Sequence, residues 1–249
     1  MNVIFSSAFI RIASISIFFL IWELSSRFLE VDLLPGPENV FEKIIEEFES
    51  NELFFHTLIT LKRVFISFII AMFIGSFFGI FMGRREKLNV FLDDWLVLGL
   101  NVPALVIIIL SYVWFGLNEV AAILAVSLNK IPMVAVIMRE GARSLEKDYI
   151  DVGKFYKIPK KKFFMKILLP QLYPYILSSA RSGLSLIWKI VLVVELLGRS
   201  DGVGFKLYGF FQFFDIAGIL AYTLVFVLLI IFVEFIIVRP FEKRISMWK

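Results

Sequence analysis

The strongest constraint on this chain is a succession of long apolar stretches that recurs along almost its whole length. A helix needs about 20 mostly apolar residues to cross the hydrocarbon core of a bilayer. The stretches lie at about residues 9–28, 58–83, 88–115, 120–138, 173–197 and 216–238. Hydrophobic residues make up 59% of the 249 positions, against roughly 45 to 50% in soluble domains. The sequence therefore predicts an all-α membrane protein with six transmembrane helices in a single domain, residues 1–249.

The polar segment between the first two spans predicts a short helix outside the hydrocarbon. Pro35, Gly36 and Pro37 break the chain, and apolar residues then recur at helical spacing over about residues 37–50. The opposite face of this amphipathic helix is acidic and carries Glu42, Glu46, Glu47 and Glu49.

The second span carries polar residues near its start and a stripe of glycines in its second half. Lys62 and Arg63 are expected to snorkel towards the interface, and His56 is expected to be an interfacial residue. A small-xxx-small spacing allows two helix backbones to approach closely, either in static packing, which we favour, or at a crossing that moves. The glycines with this spacing are Gly75, Gly79 and Gly83.

Lysine and arginine are concentrated in the loops after the second and fourth spans and in the C-terminal tail. The opposite loops hold few of them. Cytoplasmic loops of membrane proteins carry an excess of positive residues. We therefore expect both termini in the cytoplasm and the helix at about residues 37–50 on the other side of the membrane.

Several classes of chemistry are disfavoured by what the sequence lacks. It has no cysteine and one histidine, which argues against a disulfide framework and a metal centre. The net charge of +4 comes without a basic patch interleaved with aromatic residues, so we expect no nucleic-acid partner. No Gly-x-x-x-x-Gly-Lys-Ser/Thr loop is present to cradle nucleotide phosphates. We therefore expect this chain to bind no nucleotide and no other cofactor.

A basic, amphipathic loop at about residues 144–170 separates the fourth and fifth spans. Asp148 can cap a first short helix, and Pro159 suits the first turn of a second. Pro170 is expected to end that second helix before the fifth span. Such helices, basic outside and aromatic inside, suit either a groove on a soluble partner or the anionic headgroups of membrane lipid. The residues alone leave both possibilities open.

This loop resembles the cytoplasmic coupling loop of ABC-importer permeases. The pattern of that family is Glu-Ala-Ala, three residues, Gly, nine residues and Ile-x-Leu-Pro. The spacing and the Ile-x-Leu-Pro end match, but a lysine replaces the central Gly, which normally lets the chain turn between the two helices. Pro159 is the residue that can set the turn instead. Asp replaces the Glu of the pattern, and Val-Gly replaces its Ala-Ala. The corresponding positions are Asp151, Val152, Gly153, Lys157, Ile167, Leu169 and Pro170.

The resemblance extends over nearly the whole chain and is strongest to permeases of nitrate, sulfonate and taurine importers. It implies a type I importer fold in the bacterial inner membrane. It also implies a pair of permeases, expected to be identical, with two ATP-binding cassette ATPase subunits that use the ATP and an external substrate-binding protein. The segments that carry the resemblance are LLPGPENVFEKI, WFGLNEVAAIL, PYILSSARSGLSLIWKIVLVVELLG and DGVGFKL.

Polar side chains inside the spans are candidates for a substrate path, because charges within a membrane are costly. Lys130 and Lys189 stand where the subfamily has apolar residues, and their positive charge suits a path for an anion of the sulfonate, taurine or nitrate type. Alternatively, Lys130 snorkels to the span end and Lys189 pairs with Glu195 or Glu234. Pro103 frees a backbone carbonyl that only protein or a water-filled path can receive. The candidates are Asn101, Ser111, Asn129, Lys130, Ser185 and Lys189.

Two functions from other classes remain possible from the residues. An ion-coupled secondary transporter would use Lys130, Lys189, Glu195 and Glu234 as a relay. Such transporters often contain inverted repeats, and none is convincing in this sequence. A membrane-anchored scaffold would use only the basic loop, to bind lipid or a soluble protein.

Overall fold

The computed structural model describes residues 2–28 and 34–238, in which all the regular elements are helical. Two π-helical turns, Phe164–Leu168 and Glu234–Val238, follow α8 and α11. The helices are α1 (Asn2–Phe28), α2 (Pro37–Glu49), α3 (Glu52–Arg84), α4 (Glu86–Asn101), α5 (Ala104–Phe115), α6 (Glu119–Arg143), α7 (Lys147–Phe155), α8 (Lys160–Phe163), α9 (Leu169–Gly198), α10 (Val203–Gln212) and α11 (Ile216–Val233).

Four helical stretches are long and apolar enough to cross a membrane, and the bent pair α4–α5 could make a fifth span. The four are Phe9–Phe28, Glu52–Arg84, Glu119–Arg143 and Ile216–Ile236. The predicted fifth span forms α9, a helix of 30 residues or about 45 Å, whose charged residues interrupt its apolar run. The helical membrane fold is therefore present, and the number of six spans stays a prediction.

The predicted third span, residues 88–115, is not one continuous helix. It is divided at Val102 and Pro103 into α4 and α5, which are bent by 97°. Pro103 has no backbone N–H, and the residue before a proline is driven out of the helical region. Val102 accordingly has an extended conformation, with φ −69° and ψ 123°. The expectation of one span over these residues was therefore wrong in shape.

The second short helix of the basic loop runs without interruption into α9. The residues at the junctions, Phe164, Leu168 and Leu169, all have right-handed helical conformations. A proline ring clashes with the carbonyl four residues earlier in a regular α-helix, and a π-helical turn widens the helix there. The prediction that Pro170 ends this helix is wrong, because Pro170 lies in the first turn of α9 and the widened turn precedes it.

Helices α3, α6 and α9 form the centre of the bundle, and the predicted glycine stripe lies where α3 meets α6. A Cβ added to Gly75 would lie 2.6 Å from Cβ of Val134, and one added to Gly83 would lie 2.5 Å from the Arg139 carbonyl oxygen. Gly79 is equally close to Ala135. The close backbone approach expected from the spacing is therefore present along more than two turns of both helices.

Helix α2 occupies the residues for which a short amphipathic helix is expected. Its buried face includes Val40 and Glu47, and the Glu47 carboxylate accepts a hydrogen bond of 2.8 Å from the Tyr222 hydroxyl of α11. Lys206 of α10 forms an ion pair of 2.9 Å with the same carboxylate. These contacts fix α2 against α10 and α11, and its place outside the hydrocarbon stays a prediction.

The glycine stripe gives a first testable prediction. Replacing Gly79 by Ala inserts a methyl group against the α6 backbone, and overpacking of this kind costs about 1–3 kcal/mol. We expect the thermal unfolding midpoint of the purified protein to fall by roughly 2–12 °C. Gly209→Ala in α10 is the matched control, because nothing lies within 4 Å of the added Cβ and alanine favours a helix. Equal destabilisation by both substitutions would contradict the close packing.

Candidate functional site

The guanidinium of Arg63 lies in a buried cluster of charges at the α2 end of the bundle. Arg63 belongs to α3, is 2% exposed, and lies 2.9 Å from the Glu195 carboxylate of α9 and 2.7 Å from the Glu119 carboxylate of α6. It also forms a short ion pair with Asp201 in the loop after α9. The expectation that Arg63 snorkels towards the interface is therefore wrong, because carboxylates from three other elements meet it inside the protein.

The loop after α9 is held by three successive backbone amides. The N–H groups of Gly202, Val203 and Gly204 donate to His56 Nδ1, Thr60 Oγ1 and Glu195 Oε2 at 2.9, 2.8 and 2.8 Å. A side chain on Gly202, which has φ +104°, would overlap the Glu195 carboxylate. The Gly-x-Gly spacing of DGVGFKL thus allows a buried carboxylate and the start of α10 to meet, and Glu195 holds this loop in place.

His56 contributes to this anchor as a hydrogen-bond acceptor. Because Nδ1 accepts from the Gly202 amide, the ring proton belongs on Nε2, which lies 3.1 Å from Glu52 Oε2. The side chain is buried. The expectation that His56 is an interfacial residue is therefore wrong.

At the opposite end of the bundle, the turn between α7 and α8 has the left-handed geometry that a glycine normally supplies, although a lysine occupies the position. Lys157 has φ +47°, which is the left-handed region that favours glycine. The Ile158 N–H donates to the Gly153 carbonyl at 3.1 Å, as in a Schellman motif that ends a helix. Lys157 therefore makes the left-handed turn itself, and Pro159 follows as the residue before α8.

Gly153, the second departure from the family pattern, is where the two arms of the loop touch. A Cβ added to Gly153 would lie 2.5 Å from the Phe163 ring and 2.9 Å from the Ile167 side chain. Glycine at this position makes room for the aromatic ring of Phe163. The contact joins α7 to the continuous helix that leads into α9.

The outer face of α7 is apolar and exposed. The prediction that this loop is aromatic inside is wrong for its first arm, because Phe155 and Tyr156 are 81% and 71% exposed, and holds for Phe163 of the second arm, which packs against a buried cluster. What faces inward is the small residue Gly153 together with Ile150, which packs against a buried cluster that includes Leu168 and Leu172. An exposed apolar surface of this kind is typical of a site that another protein or the membrane covers. The exposed members are Tyr149, Val152, Phe155 and Tyr156.

Helix α9 carries an exposed polar stripe, which contains two of the predicted path residues. The stripe lies opposite the buried residues of the same helix, Ser179, Gly183 and Ile187. The proposed pairing of Lys189 with Glu195 or Glu234 is wrong, because the former carboxylate is held by Arg63 and the latter lies 3.1 Å from Arg181. The exposed stripe consists of Ser178, Ser185 and Lys189, with Arg181 beside it.

Lys130 is buried in the middle of α6, so snorkelling to the span end is not its role. It is 6% exposed and forms no hydrogen bond or ion pair with any residue in 2–28 or 34–238. It lies about three turns before Gly141 on the same face of α6, and Gly141 packs on Tyr175 of α9. A buried ammonium group without a counter-charge is costly and indicates a ligand or water.

The remaining predicted path residues lie apart from these two lysines. Asn101, at the end of α4, is exposed and its side-chain amide donates to the Val97 carbonyl at 2.7 Å. Ser111 is buried on α5, and Asn129 is half-buried on α6. Within the described part of the chain, no hydrogen bond or ion pair links any two of the six candidates. A single substrate site formed by all six is therefore not what this conformation contains.

Sequence reasoning missed the Arg63 cluster and the exposed face of α7. Arg63 lies eleven residues into α3, which begins at Glu52 rather than at about Leu58. A charge so far inside an apolar helix was the available signal for a buried partner. For α7 the helical spacing of the apolar residues is visible in the sequence, but the sequence does not say whether the apolar face packs on the rest of the chain or points away from it.

The structure is thus that of a helical membrane protein with a two-helix loop between α6 and α9. The chain belongs to the family of binding-protein-dependent transport system inner membrane components, whose sequence model matches residues 71–247. Proteins of this family are permease subunits, which are transport components of multi-pass inner-membrane type.

Several relatives cover most of the chain at moderate identity. The putative aliphatic sulfonates transport permease protein SsuC of Bacillus subtilis is 29% identical and aligns with 87% of this chain and 78% of its own length. The nitrate import permease protein NrtB of Synechococcus elongatus is 28% identical over 78% of this chain and 73% of its own length. The taurine transport system permease protein TauC of Escherichia coli is 26% identical over 86% of this chain and 80% of its own length.

Solved structures share the fold at lower identity. The MetNI methionine ABC transporter in inward-facing conformations superposes with a TM-score of 0.63 at 16% identity, over 76% of this chain and 93% of that one. An amino acid ABC transporter solved with histidines gives a TM-score of 0.58 at 18% identity, over 82% of this chain and 96% of that one. The fold is therefore that of type I ABC-importer permeases, as the sequence resemblance implied.

The buried charge cluster gives a second prediction. Arg63→Met leaves the buried Glu195 carboxylate without its cation, and breaking a buried pair costs about 3–5 kcal/mol. We expect a much lower thermal unfolding midpoint, partly recovered when Glu195→Gln is added. Arg27→Met is the control, because its pair with Glu23 has a 73% exposed arginine side chain and exposed pairs contribute about 0–1 kcal/mol. Equal shifts for the two arginines would refute the structural role of Arg63.

Proposed function

We propose that this chain is the permease subunit of an ATP-driven, binding-protein-dependent importer that moves a small anionic solute by alternating access. The observation that carries the proposal is the exposed apolar face of α7, at the loop whose spacing matches the family pattern. Family membership and the transport names of the relatives support it. The chain itself binds no cofactor, and ATP is hydrolysed by separate subunits.

The coupling loop gives a route by which an ATPase could move the spans. The face formed by Tyr149, Val152, Phe155 and Tyr156 docks in a groove of the ATPase. Gly153 transmits a push on α7 to Phe163 and Ile167, and these residues lie on the helix that continues through the π-helical turn into α9. Asp151, Lys157, Leu169 and Pro170 set the ends and the turn of the coupling loop. Closure of two ATPases on bound ATP would therefore tilt α9.

A second copy of the permease is part of the proposal. The polar stripe of α9 is exposed in a single chain, and hydroxyl and ammonium groups facing lipid would be costly. A pair of copies, with a water-filled path between or within them, covers this stripe. The coupling loop and both termini then lie in the cytoplasm, whereas α2 and the anchored loop after α9 lie on the outer side, where a binding protein delivers the solute.

The proposed substrate is a small solute with an anionic group. The relatives are named for sulfonate, bicarbonate, nitrate and taurine transport, and all these solutes carry such a group. Lys130 and Lys189 supply uncompensated positive charge in α6 and α9. The solute would contact the four other candidates at separate points of its route rather than in one pocket. These are Asn101, Ser111, Asn129 and Ser185.

The ATPase association tests the proposal directly. Phe155→Ala/Tyr156→Ala removes the two most exposed rings of α7, and we expect co-purification of the ATPase to fall at least tenfold, since buried aromatic anchors at interfaces contribute about 2 kcal/mol or more each. Phe213→Ala/Phe214→Ala is the control, because these rings are 84% and 79% exposed and lie after α10, away from the loop.

Retention of the ATPase by the Phe155/Tyr156 variant would overturn the docking site. The same result together with ATPase activity that ignores a loaded binding protein would overturn the importer assignment. Loss of the ATPase in both variants would indicate misfolding, which the thermal unfolding midpoint of each variant detects.

The lysines give a separate prediction about the substrate. We expect Lys130→Met and Lys189→Met each to lower the transport efficiency for an aliphatic sulfonate or nitrate about tenfold, because a hydrogen bond to a charged group contributes about 1.5–3 kcal/mol. Uptake into proteoliposomes containing the whole complex measures this. Lys62→Met, which removes an exposed charge of α3, should leave uptake unchanged. Unaltered uptake in both lysine variants would refute the proposed anion path but would not contradict the importer assignment.

A further inference from the structure

The junction between α3 and α4 carries three exposed cations, Arg84, Arg85 and Lys87. None of them forms an ion pair with a residue of the described ranges, 2–28 and 34–238. The arginine side chains elsewhere in the bundle mostly have carboxylate partners: Arg27, Arg63, Arg139, Arg143, Arg181 and Arg199. The junction is therefore a place where positive charge collects without an internal counter-ion.

Two of these cations, Arg85 and Lys87, border a shallow depression that also has an apolar side. The depression has a volume of about 680 Å³ and is lined by Arg85, Glu86, Lys87, Leu88 and Phe91. The Arg85 guanidinium lies 5.5 Å from the centre of the Phe81 ring, which holds it beside α3. Positive groups next to exposed aromatic and aliphatic side chains match a ligand with a phosphate at one end and hydrocarbon at the other.

The depth of the junction in the membrane follows from the length of α3. Arg63 and Arg84 are separated by 21 residues of helix, or about 32 Å at 1.5 Å per residue. The hydrocarbon core is about 30 Å thick, so the charge cluster of Arg63 and the end of α3 lie at opposite boundaries of the core. Trp95 of α4 is also exposed, as is common for tryptophan at a membrane interface. The depression is thus at headgroup depth.

We propose that the α3–α4 junction is a binding site for an anionic phospholipid. The phosphate oxygens accept hydrogen bonds from Arg85 and Lys87, with Arg84 adding to the positive field. Leu88 and Phe91 contact the glycerol and the first part of an acyl chain. The site lies on a different part of the surface from the coupling loop and depends only on the chain being in a membrane, so it does not rest on the proposed substrate.

The test uses the full-length protein in nanodiscs of phosphatidylcholine to which phosphatidylglycerol is added. Native mass spectrometry after release counts the phosphatidylglycerol molecules that remain bound. We expect Arg85→Gln/Lys87→Gln to weaken retention at least tenfold. Arg27→Gln/Lys62→Gln removes the same charge from exposed positions elsewhere and should retain the lipid as the unaltered protein does.

Two further arms separate the other occupants. Inorganic phosphate should compete only weakly, and competition at equal concentration would show an ion site and overturn the lipid assignment. An acidic surface of the ATPase is the other candidate. If Arg85→Gln/Lys87→Gln kept full phosphatidylglycerol retention, whether or not ATPase co-purification fell, the proposal would be wrong.

Discussion

The rest of the bundle depends on the buried ion cluster around Arg63. Moving a guanidinium and a carboxylate out of water is expensive, and the cost is offset only when the geometry satisfies both. Arg63 achieves this with carboxylates from α6, α9 and the loop after α9, so all of these elements must be in place together. Helices α3 and α6 then run side by side along the glycine stripe of α3. One end of the bundle is thus held together by the ion cluster, and close backbone packing holds α3 and α6 together along their length.

The opposite end has the reverse character, because its surfaces are left for other molecules. The α7 face is apolar and exposed, and the cations of the α3–α4 junction form no ion pair with a described residue. The exposed polar stripe on α9 leads from this end towards the Arg63 cluster. A membrane protein that worked alone would have little reason to hold all three. The contrast matches a subunit that is rigid where its helices are cross-linked by charge and incomplete where it meets protein, solute and lipid.

Much of the fold could be predicted from the sequence, because apolar length and the spacing of one loop are strong signals. The two-helix loop, the short helix after the first span and the glycine contact followed from them. The 97° bend at Pro103 could not, since a proline marks a break or kink in a helix but does not set its angle. Burial of Arg63 depends on carboxylates more than 50 residues away in sequence. The left-handed turn at Lys157 escaped prediction because lysine seldom adopts it, and the packing around Gly153 decides otherwise.

The bend between α4 and α5 has a consequence for the energy of moving a charged solute. Helix α5 has 12 residues and is about 18 Å long, well short of the roughly 30 Å of a bilayer core. Beside the bend, carbonyls at the end of α4 and amides at the start of α5 need polar neighbours, and hydrocarbon offers none. Water that reaches them would thin the low-dielectric layer locally by about 12 Å. The self-energy barrier that an anion meets would then be narrower there than across the surrounding lipid.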